Sequence, residues 1–579
     1  YQIQDAVSLN KGTHTFKLGV DISLLEINDG IPFNSAGLIT YNGGGDCSAI
    51  GLTTCTALAN FVDDFSGPAG QIRKQFGNPR VNVPTNVQAY YFQDSWKVRP
   101  NLTLNYGLRY EYHPPDYSNV LSFPAVRRET ALTDPFNQRF PVERDRNNFA
   151  PRFGFSYTPR FWNGLFGDGK TVFRGGWGVY YDAFFTNISN NTAAASPNTL
   201  GGTITGAAGT RGTASAFTAL GGITAAANPL NTVTSIDSKL VNPLTHQWNL
   251  NVQRELPGKF IAEIAYVGTR GQRLYVNEQL NPRDPATGLR LNPARGSIVI
   301  RGNRGDSIYH GLQSSVRRSY GRLFLLGSYT WSRSIDNMSE VFVTSGAASR
   351  WQDVMDPRSD RGPSVFHRTH RGVITWVYDL PYPKANDGPM KVLSWLARDW
   401  STSGQISFQS GSPETVFAAG FDQNLDGEAF NDRPSVGNLN APINLSDDCT
   451  NNVPIGCITG IGFDDGLSIT DLWNGNPGTA NDFRYILNDL GLNGNVGRNS
   501  IYNRGRQDYN LSVIRRIKFA ERHQLEFRAD FLNAFNHPNL GGGPVASVSG
   551  DTFFDPLFLN NEVTRFGGRS IRLWLKYQF

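Results

Sequence analysis

The end of the chain, residues 570–579, alternates between apolar and polar side chains, and this constrains the fold more than any other feature. Alternate side chains of a β-strand point to opposite faces. A globular protein seldom leaves an apolar, aromatic terminal strand uncovered, whereas a membrane barrel has lipid on one face of each strand and water on the other. Apart from Trp574, the alternation is regular, and the apolar face carries Ile571, Leu573, Leu575, Tyr577 and Phe579.

Segments with the same alternation recur along the whole chain. From Leu102 to Tyr112, Leu and Tyr occupy every second position, and Thr, Asn, Gly, Arg and Glu occupy the positions between them. Such segments exceed the usual globular strand of about 5–6 residues and fit a tilted membrane strand of about 9–11. We predict about fifteen of them, at residues 1–11, 13–26, 87–98, 102–113, 149–159, 170–182, 245–256, 259–270, 307–319, 322–335, 370–380, 399–411, 505–518, 522–536 and 568–579.

The connections between these strands alternate in length. Short turns such as Pro257-Gly258 and Tyr320-Gly321 are followed by long segments rich in Gly, Asn, Asp and Pro. Short periplasmic turns and long extracellular loops are typical of outer-membrane barrels. The predicted fold class is therefore all-β, an antiparallel transmembrane β-barrel that occupies residues 1–579 as one domain. The long loops cover residues 27–86, 114–148, 183–244, 271–306, 336–369, 412–504 and 537–567.

Composition excludes several other classes of protein. Charged residues make up 18% of the chain and its net charge is +5. Lys and Arg are scattered, so no nucleic-acid-binding surface is predicted. No segment approaches the roughly 18 consecutive apolar residues of a membrane helix. No nucleophile, base and carboxylate arrangement stands out, so we predict that the protein is not an enzyme and requires no cofactor.

Several stretches resemble the barrel of TonB-dependent outer-membrane receptors. The resemblance is greatest to the Oar-like branch, whose full-length members carry an N-terminal carboxypeptidase-regulatory-like domain. Each motif is loose, but their order along nearly the whole chain is fairly specific. The matching stretches are Tyr91–Val98, Leu102–Tyr112, Asn148–Phe155, Gly167–Gly176, Asn431–Pro434, Phe527–Pro538 and the terminal strand.

This resemblance implies a barrel of about twenty-two strands, closed by a plug that the inner-membrane TonB complex pulls. The plug and the TonB box precede the barrel in the family, and neither is found in this sequence. Counting strands backwards from the last periplasmic turn, the first strand descends from the outside. We therefore expect the chain to be the C-terminal portion of a longer protein. The resemblance also implies that Leu575, Tyr577 and Phe579 help the barrel-assembly machinery to recognise the chain.

The predicted function is uptake of a scarce solute across the bacterial outer membrane. The solute, a saccharide, a peptide or a metal chelate, would be captured by the long loops, chiefly 27–86, 183–244 and 412–504. The predicted partners are outer-membrane lipid, the barrel-assembly machinery, the TonB complex and the solute. Two alternatives stay open: a passive porin-like channel, and a surface barrel for adhesion or secretion.

Four cysteines occur as two local pairs, Cys47 with Cys55 and Cys449 with Cys457. Both pairs lie in polar stretches without the clustered His and Cys ligands of a zinc site. Two loop disulfides in an oxidising compartment are the favoured interpretation.

One loop resembles the start of a calcium-binding loop. Asp422, Asn424 and Asp426 provide oxygens at every second position, and Gly427 follows them. Oxygen atoms in this pattern can surround a hard cation. An EF-hand has Glu at position twelve, where this chain has Arg433, but Asp432 can substitute. The predicted ligands are Asp422, Asn424, Asp426 and Asp432, and the alternative is an acidic extracellular loop without a metal.

Overall fold

The structure is a computed structural model. It describes residues 1–30, 34–48, 51, 53–77, 80–113, 125–133, 142–167, 169–185, 187–196, 199–206, 215–225, 228–342, 350–385, 387–417, 422–428, 431–437, 439–440, 485–486, 490–519, 523–539 and 568–579.

Strands dominate the described residues. In chain order they are β1 (Gln2–Lys11), β2 (His14–Gly30), β3 (Leu38–Thr40), β4 (Gln71–Gly77), β5 (Arg80–Arg99), β6 (Leu102–Tyr112), β7 (Ala125–Val126), β8 (Phe149–Tyr157), β9 (Thr171–Tyr181), β10 (Thr199–Thr205), β11 (Val233–Asp237), β12 (Leu244–Leu256), β13 (Phe260–Gln279), β14 (Ile298–Tyr320), β15 (Leu323–Asp336), β16 (Gly362–Pro363), β17 (His370–Asp379), β18 (Trp400–Gln409), β19 (Pro413–Glu414), β20 (Ser435–Val436), β21 (Tyr485–Ile486), β22 (Ile501–Tyr502), β23 (Arg506–Lys518), β24 (Gln524–Leu532) and β25 (Ser570–Gln578).

The helices are short and lie in the connections. They are α1 (Ala57–Val62), α2 (Asn163–Phe166), α3 (Asn187–Ala193), α4 (Ala216–Gly221) and α5 (Gly388–Ala397), and a 3-10 turn lies at Pro257–Lys259. Within the described part of the chain, none of them has the length and hydropathy of a membrane-spanning helix.

Eighteen strands form one sheet, and fifteen of them remain when the short β7, β11 and β16 are set aside. We call these fifteen the main sheet. Each is antiparallel to its neighbours in the order β1, β2, β5, β6, β8, β9, β12, β13, β14, β15, β17, β18, β23, β24, β25. The predicted fold class and all fifteen predicted strands are confirmed. Among the described residues β1 and β25 do not pair with each other, so the sheet is open.

The register aligns the apolar side chains of neighbouring strands. Leu250 pairs with Tyr266 across β12 and β13, Tyr266 with Leu312, and Leu312 with Trp331. All four side chains are exposed, Leu250 by 51%, Tyr266 by 40%, Leu312 by 42% and Trp331 by 55%. Because side chains alternate along each strand, one face of the main sheet is apolar and exposed over many strands. We call it the apolar face and its opposite the polar face.

Four strands extend by several residues beyond their predicted ends, β13 and β14 the furthest, while β2 runs to Gly30 rather than 26 and β5 begins at Arg80 rather than 87. The alternation predicts strands at 259–270 and 307–319, but β13 runs to Gln279 and β14 begins at Ile298. The pairing continues to Gln279 opposite Val299 through two register shifts. On this extension β11 adds to β14 in parallel, and β7 adds to β11. Backbone pairing between segments far apart in sequence, rather than local alternation, fixes these additions.

The long connections fold on one another around small apolar cores. One core contains Ile188, Ile236, Leu240 and Tyr275, with Phe184 packed against it. A second lies between α4 and the three-stranded sheet of β10, β4 and β3, and we call this unit the small lobe. The described residues of the long connections, with the extensions of β13 and β14, form what we call the loop assembly.

Candidate functional site in the loop assembly

The polar face of the main sheet carries paired charges. Arg516 Nε lies 2.8 Å from Glu526 Oε2, and Arg528 Nε lies 2.6 Å from Asp530 Oδ1. The arginines are 46% and 45% exposed. Exposed pairs of this kind contribute about 0–1 kcal/mol each. Their effect is to make this face a charged, water-compatible surface.

Trp574, the one break in the terminal alternation, lies on the polar face. It pairs with Arg528, and its indole Nε1 donates to Asp530 Oδ2 at 3.0 Å. The hydrogen bond gives a physical reason for an aromatic residue on that face, since an indole N–H needs an acceptor when water is displaced. The three residues predicted to be recognised by the barrel-assembly machinery lie at the end of the chain. Leu575 is 72% exposed, Tyr577 50% and Phe579 88%. Their role in barrel assembly stays a prediction.

The first cysteine pair forms a disulfide. Cys47 and Cys55 are bonded, with their Cα atoms 5.1 Å apart. Cys47 is fully buried, and Gly44 N donates to Cys55 O at 2.8 Å, so the bridge closes a tight loop before α1. Cys449 and Cys457 lie outside the described residues.

The small lobe is joined to the segment that follows α1 by polar contacts. Tyr41 Oη donates to Asp64 Oδ1 at 2.6 Å, and Phe217 N, in α4, donates to Asp64 Oδ2 at 3.1 Å. Burial, and next the hydrogen bond to Asp64, raise the pKa of Tyr41 to about 12. One carboxylate therefore connects residues about 150 positions apart in the chain.

Buried arginines tie the connections 336–369 and 412–504 together further along the loop assembly. Arg498, 7% exposed, donates from Nε to Asp360 O at 2.8 Å and from Nη2 to Asp336 O at 2.6 Å, and it pairs with the Asp336 carboxylate. Arg433 Nη1 lies 2.7 Å from Asp360 Oδ1, with both side chains at least 95% buried. Buried charges need such paired, multiply hydrogen-bonded arrangements.

A third arginine joins β7 and its connection to β13. Arg128 donates from Nη1 and Nη2 to the two oxygens of Glu278, each at 2.7 Å, and from Nε to Asp237 Oδ2 at 2.6 Å. Burial alone would lower the pKa of Arg128, but the two carboxylates raise it above its ordinary value. A bidentate pair of this kind is strong and directional, so it fixes this connection against the strand extensions.

In the predicted calcium loop, each of the three carboxylates accepts a hydrogen bond from one backbone N–H. Asp422 Oδ2 accepts from Gly427 N at 2.9 Å, Asp426 Oδ1 from Glu428 N at 2.8 Å, and Asp432 Oδ2 from Gln423 N at 2.6 Å. Gly427 has a φ of 92°, a conformation that favours glycine.

The second oxygen of each carboxylate has no partner with hydrogen-bond geometry, although hydrogen bonds from the side chains of Asn431 and Asn424 oppose the rise in the pKa of Asp426. Asp422 Oδ1, Asp426 Oδ2 and Asp432 Oδ1 are buried without one in the described part of the chain, as are the side-chain oxygens of Gln423 and Asn431. Buried polar atoms without partners are uncommon in folded proteins, and here five oxygens occur within one short segment.

The carboxylates also repel one another. Burial, and next Asp422, raise the pKa of Asp426 to about 7. Burial, and next Asp426, raise the pKa of Asp432 to about 7. Arg350, which pairs with Glu428, opposes this rise in the pKa of Asp426, and the charges of Asp426 and Asp422 also act on Arg290, whose Nη1 donates to Asn281 O at 2.7 Å.

The fourth predicted ligand, Asn424, acts differently. Its Oδ1 accepts from Asp426 N at 3.0 Å, and its Nδ2 donates to Gln352 O at 2.8 Å and Asn493 Oδ1 at 2.9 Å. No group of three or more His, Cys, Asp or Glu side chains among the described residues is arranged to hold a metal ion as it stands. The calcium site therefore stays a prediction.

Sequence reasoning missed the residues that hold this loop in place. Asn431 donates from Nδ2 to Trp351 O at 2.6 Å, and Arg433 binds Asp360. The sequence contained one indication of these residues, since Asn431–Pro434 matches a motif of the resembled family. The motif alone does not indicate its structural role. Arg128, Glu278 and Arg498 gave no local signal, because their partners are remote in sequence.

Comparison with known proteins gives a family match over most of the chain. Residues 1–555 match the family model described as an outer membrane beta barrel domain. Over 130 residues, 22% of the chain, it is 29% identical to the TonB-dependent transporter Oar of Myxococcus xanthus, and the match covers 12% of that protein. The resemblance predicted from the sequence is confirmed by these matches.

Among solved structures, the outer membrane transporter YddB from Escherichia coli covers 100% of the chain with a TM-score of 0.44 at 10% identity. A double mutant of the ferric enterobactin receptor PfeA from Pseudomonas aeruginosa covers 100% with a TM-score of 0.47, also at 10% identity. This chain spans 53% of the length of each.

Proposed function

Because the chain belongs to the family of outer membrane β-barrel domains, and is therefore a protein of the bacterial outer membrane, we propose that it is the barrel of a TonB-dependent receptor for a scarce solute. Residues 1–579 would act as one barrel domain. The observation that carries the proposal is the division of the main sheet into an exposed apolar face and a charged polar face. A barrel needs both faces, one for lipid and one for a polar interior.

The partial match to Oar supports coupling to TonB. In this proposal the inner-membrane TonB complex acts on a plug that precedes the barrel in the whole protein. The barrel-assembly machinery would recognise the last strand through Leu575, Tyr577 and Phe579, which are exposed on one face of the chain end. No catalytic role is proposed.

The loop assembly is the proposed site of solute capture. Its ion pairs, such as the half-buried Arg128 with Glu278 and the buried Arg498 with Asp336, hold long connections in one arrangement before any solute arrives. A surface that is already ordered loses less conformational entropy on binding. A saccharide, a peptide or a metal chelate would each suit such a polar surface.

The test uses the full-length protein in a bacterium that encodes it. One strain lacks the gene, a second lacks TonB, and both grow with a single limiting nutrient: a ferric chelate, an oligosaccharide or a peptide. We expect the two strains to lose growth on the same nutrient. Restoring the gene should rescue the first strain, but not a strain that also lacks TonB.

Two outcomes would contradict the proposal. If the gene deletion impairs growth and TonB loss does not, the chain is a passive channel. Steady conductance of the purified full-length protein in a planar bilayer would support that alternative. If neither growth nor conductance changes while attachment of cells to surfaces falls, the chain is an adhesion barrel.

A further inference from the structure

We propose that a groove on the apolar face binds a phosphate-bearing lipid of the outer leaflet of the outer membrane. The groove lies on β13, β14 and β15, where the main sheet meets the loop assembly. Arg333 would contact the phosphate, and Leu312 and Trp331 would contact an acyl chain. The proposal requires the chain to lie in the outer membrane, but it does not depend on the solute or on TonB.

The groove is a depression of about 490 Å³ between side chains of three neighbouring strands. Tyr266 of β13 pairs with Leu312 of β14, and Leu312 pairs with Trp331 of β15, so the three lie side by side on the apolar face. Arg333 and His367 line the side of the groove that is nearer to the loop assembly. One end of the groove is therefore apolar and the other is polar.

Hydrogen bonds between aromatic side chains fix the wall of the groove. Tyr266 Oη and His310 Nδ1 lie 2.7 Å apart, with their rings stacked at an interplanar angle of 18°. Tyr329 and His370 repeat this arrangement on β15 and β17, at 2.7 Å and 16°. Trp331 pairs directly with His370. Because the wall is already ordered, binding would cost little conformational entropy.

The height of the groove matches the edge of the outer leaflet. The short turn at Tyr320-Gly321, which follows β14, lies on the periplasmic side. From Tyr320 to His310 the strand advances by about 33 Å at about 3.3 Å per residue, which is a height of about 25 Å at a tilt of about 40°. The apolar band of such a barrel is also about 25 Å tall. The groove therefore lies where hydrocarbon gives way to lipid headgroups.

The polar end of the groove carries an unpaired positive charge. Arg333 pairs in register with His310 and is exposed on the apolar face. Within the part of the chain that the structure describes, its guanidinium has neither an ion-pair nor a hydrogen-bond partner. By contrast, Arg270 and Arg361 both pair with Asp306, at 3.3 Å and 3.0 Å. A free guanidinium can form two parallel hydrogen bonds with a phosphate.

A second arginine contributes less to this charge. Burial, and next the charges of Arg333 and Arg368, lower the pKa of His367, so both guanidinium groups act at the polar end of the groove. Arg368 donates from Nη1 to His367 O at 2.6 Å, and Glu414 partly balances its charge. Arg333 is therefore the cation available to a headgroup, and His367 is neutral at about pH 7.

A phosphate-bearing lipid uses both ends of the groove. Its acyl chains would cover Leu312 and Trp331, which are 42% and 55% exposed, while its phosphate would meet Arg333. A dissolved phosphate would leave the apolar side chains uncovered, and a lipid without phosphate would leave the arginine unpaired. Tryptophan and tyrosine at the membrane boundary are suited to contact with both parts of a lipid.

The test measures lipid binding to the full-length protein, purified in a neutral detergent, by native mass spectrometry. The probes are phosphatidic acid and diacylglycerol with the same acyl chains, so that only the phosphate differs. We expect phosphatidic acid to bind at least about fivefold more tightly, the effect of one arginine near a membrane surface. Phosphatidic acid with brominated chains should quench tryptophan fluorescence, and Trp331→Phe should remove part of that quenching.

Arg333→Gln should weaken the binding of phosphatidic acid about fivefold and leave that of diacylglycerol unchanged. The matched control is Arg371→Gln on the neighbouring β17. Arg371 pairs with Thr330 and follows His370, so it lies at the same height on the polar face. The control should bind phosphatidic acid like the unchanged protein. Heat-modified mobility in gels would show that each variant is folded.

Three results would overturn the proposal. Equal binding of phosphatidic acid and diacylglycerol would show that the phosphate is not recognised. Equal weakening by Arg333→Gln and Arg371→Gln would show a general attraction between charges rather than a site. Displacement of phosphatidic acid by inorganic phosphate alone would show a site for a dissolved anion. The growth experiments on solute uptake are independent of all three results.

Discussion

The main sheet and the loop assembly follow opposite packing rules within one chain. In the main sheet, large apolar side chains are exposed, Phe92 by 46% and Ile264 by 56%. In the loop assembly, Ile72, Ile188 and Ile236 are fully buried, and so are charged groups such as Asp360 and Arg433. The first region is inverted relative to a water-soluble protein and the second is not.

The difference shows where each region obtains its stability. The sheet satisfies its backbone through strand pairing and leaves one face for hydrocarbon, which is the condition for crossing a bilayer. The loop assembly is surrounded by water, so it is stabilised by burying its own apolar side chains. Each charge that it buries needs an oppositely charged partner. The loss of stability caused by a substitution should therefore depend more on the region in which the residue lies than on the type of residue replaced.

The largest expected effect comes from Arg498→Met in the loop assembly. The change leaves the Asp336 carboxylate, 4% exposed, without its cationic partner. Breaking a buried pair costs about 3–5 kcal/mol, and the loss should stay local. Hydrogen exchange of residues 336–342 and 496–499 should accelerate, while the amount of folded barrel in the outer membrane stays unchanged.

The control for that change is Arg506→Met. Arg506 Nε lies 2.7 Å from Asp508 Oδ2, but the arginine is 48% exposed. An exposed pair contributes about 0–1 kcal/mol, so exchange in the loop assembly should not change. Equal acceleration in both variants would remove the distinction between buried and exposed pairs.

The next effect separates the two faces of the main sheet. Leu250→Arg puts a charge in the middle of β12 on the apolar face, where Leu250 is 51% exposed. An arginine facing lipid near the midplane costs about 2–4 kcal/mol. We expect the urea midpoint of the reconstituted barrel to fall and its level in the outer membrane to drop.

Asn249→Arg is the matched change on the polar face of the same strand, where Asn249 pairs with Gly176 and Val267. It should leave the urea midpoint close to that of the unchanged barrel, since an arginine there faces a charged surface. If the two variants lose equal stability, the assignment of faces is wrong.

The sequence predicts the main sheet better than the loop assembly, for a physical reason. β6 spans Leu102–Tyr112, within one residue of the predicted 102–113, because its alternation and its turns are local signals. The turn after β12 follows from Pro257-Gly258, and Gly258 has a φ of 75°. Alternating strand patterns and turn residues involve positions that are close in sequence, so they can be recognised without knowing the fold.

The loop assembly depends on contacts that no local pattern records. Asn424 bonds to Gln352 and Asn493, which lie 72 and 69 residues away. Arg128 meets Glu278 across 150 residues. The sequence could mark Asp422 to Asp432 as an oxygen-rich turn, but neither the role of Asn431 nor that of Arg433 follows from spacing alone.

A smaller effect is expected from replacing both Cys47 and Cys55 by Ser. The bridge closes a loop with a separation of eight residues, for which loop-closure entropy gives about 2–3 kcal/mol. The loss should appear as faster proteolysis near α1, with the urea midpoint of the barrel unchanged. A fall in that midpoint would mean that the disulfide loop and the main sheet unfold as one unit.

The smallest effect is expected from Tyr41→Phe, which removes the hydrogen bond to Asp64 and should cost about 1 kcal/mol in the small lobe. Because the folded pKa of Tyr41 is raised to about 12, from about 10 in an unfolded chain, the bond contributes fully below about pH 10 and is lost as the pH rises through about 12. Hydrogen exchange of residues 71–77 should thus differ between the variant and the unchanged protein at about pH 8, and this difference should shrink at about pH 11.

Tyr320→Phe, at an exposed turn of the main sheet, should change nothing at either pH, since Tyr320 is 62% exposed. A difference for Tyr41→Phe that persists at high pH would mean that packing of the ring, rather than its hydroxyl, holds the lobe.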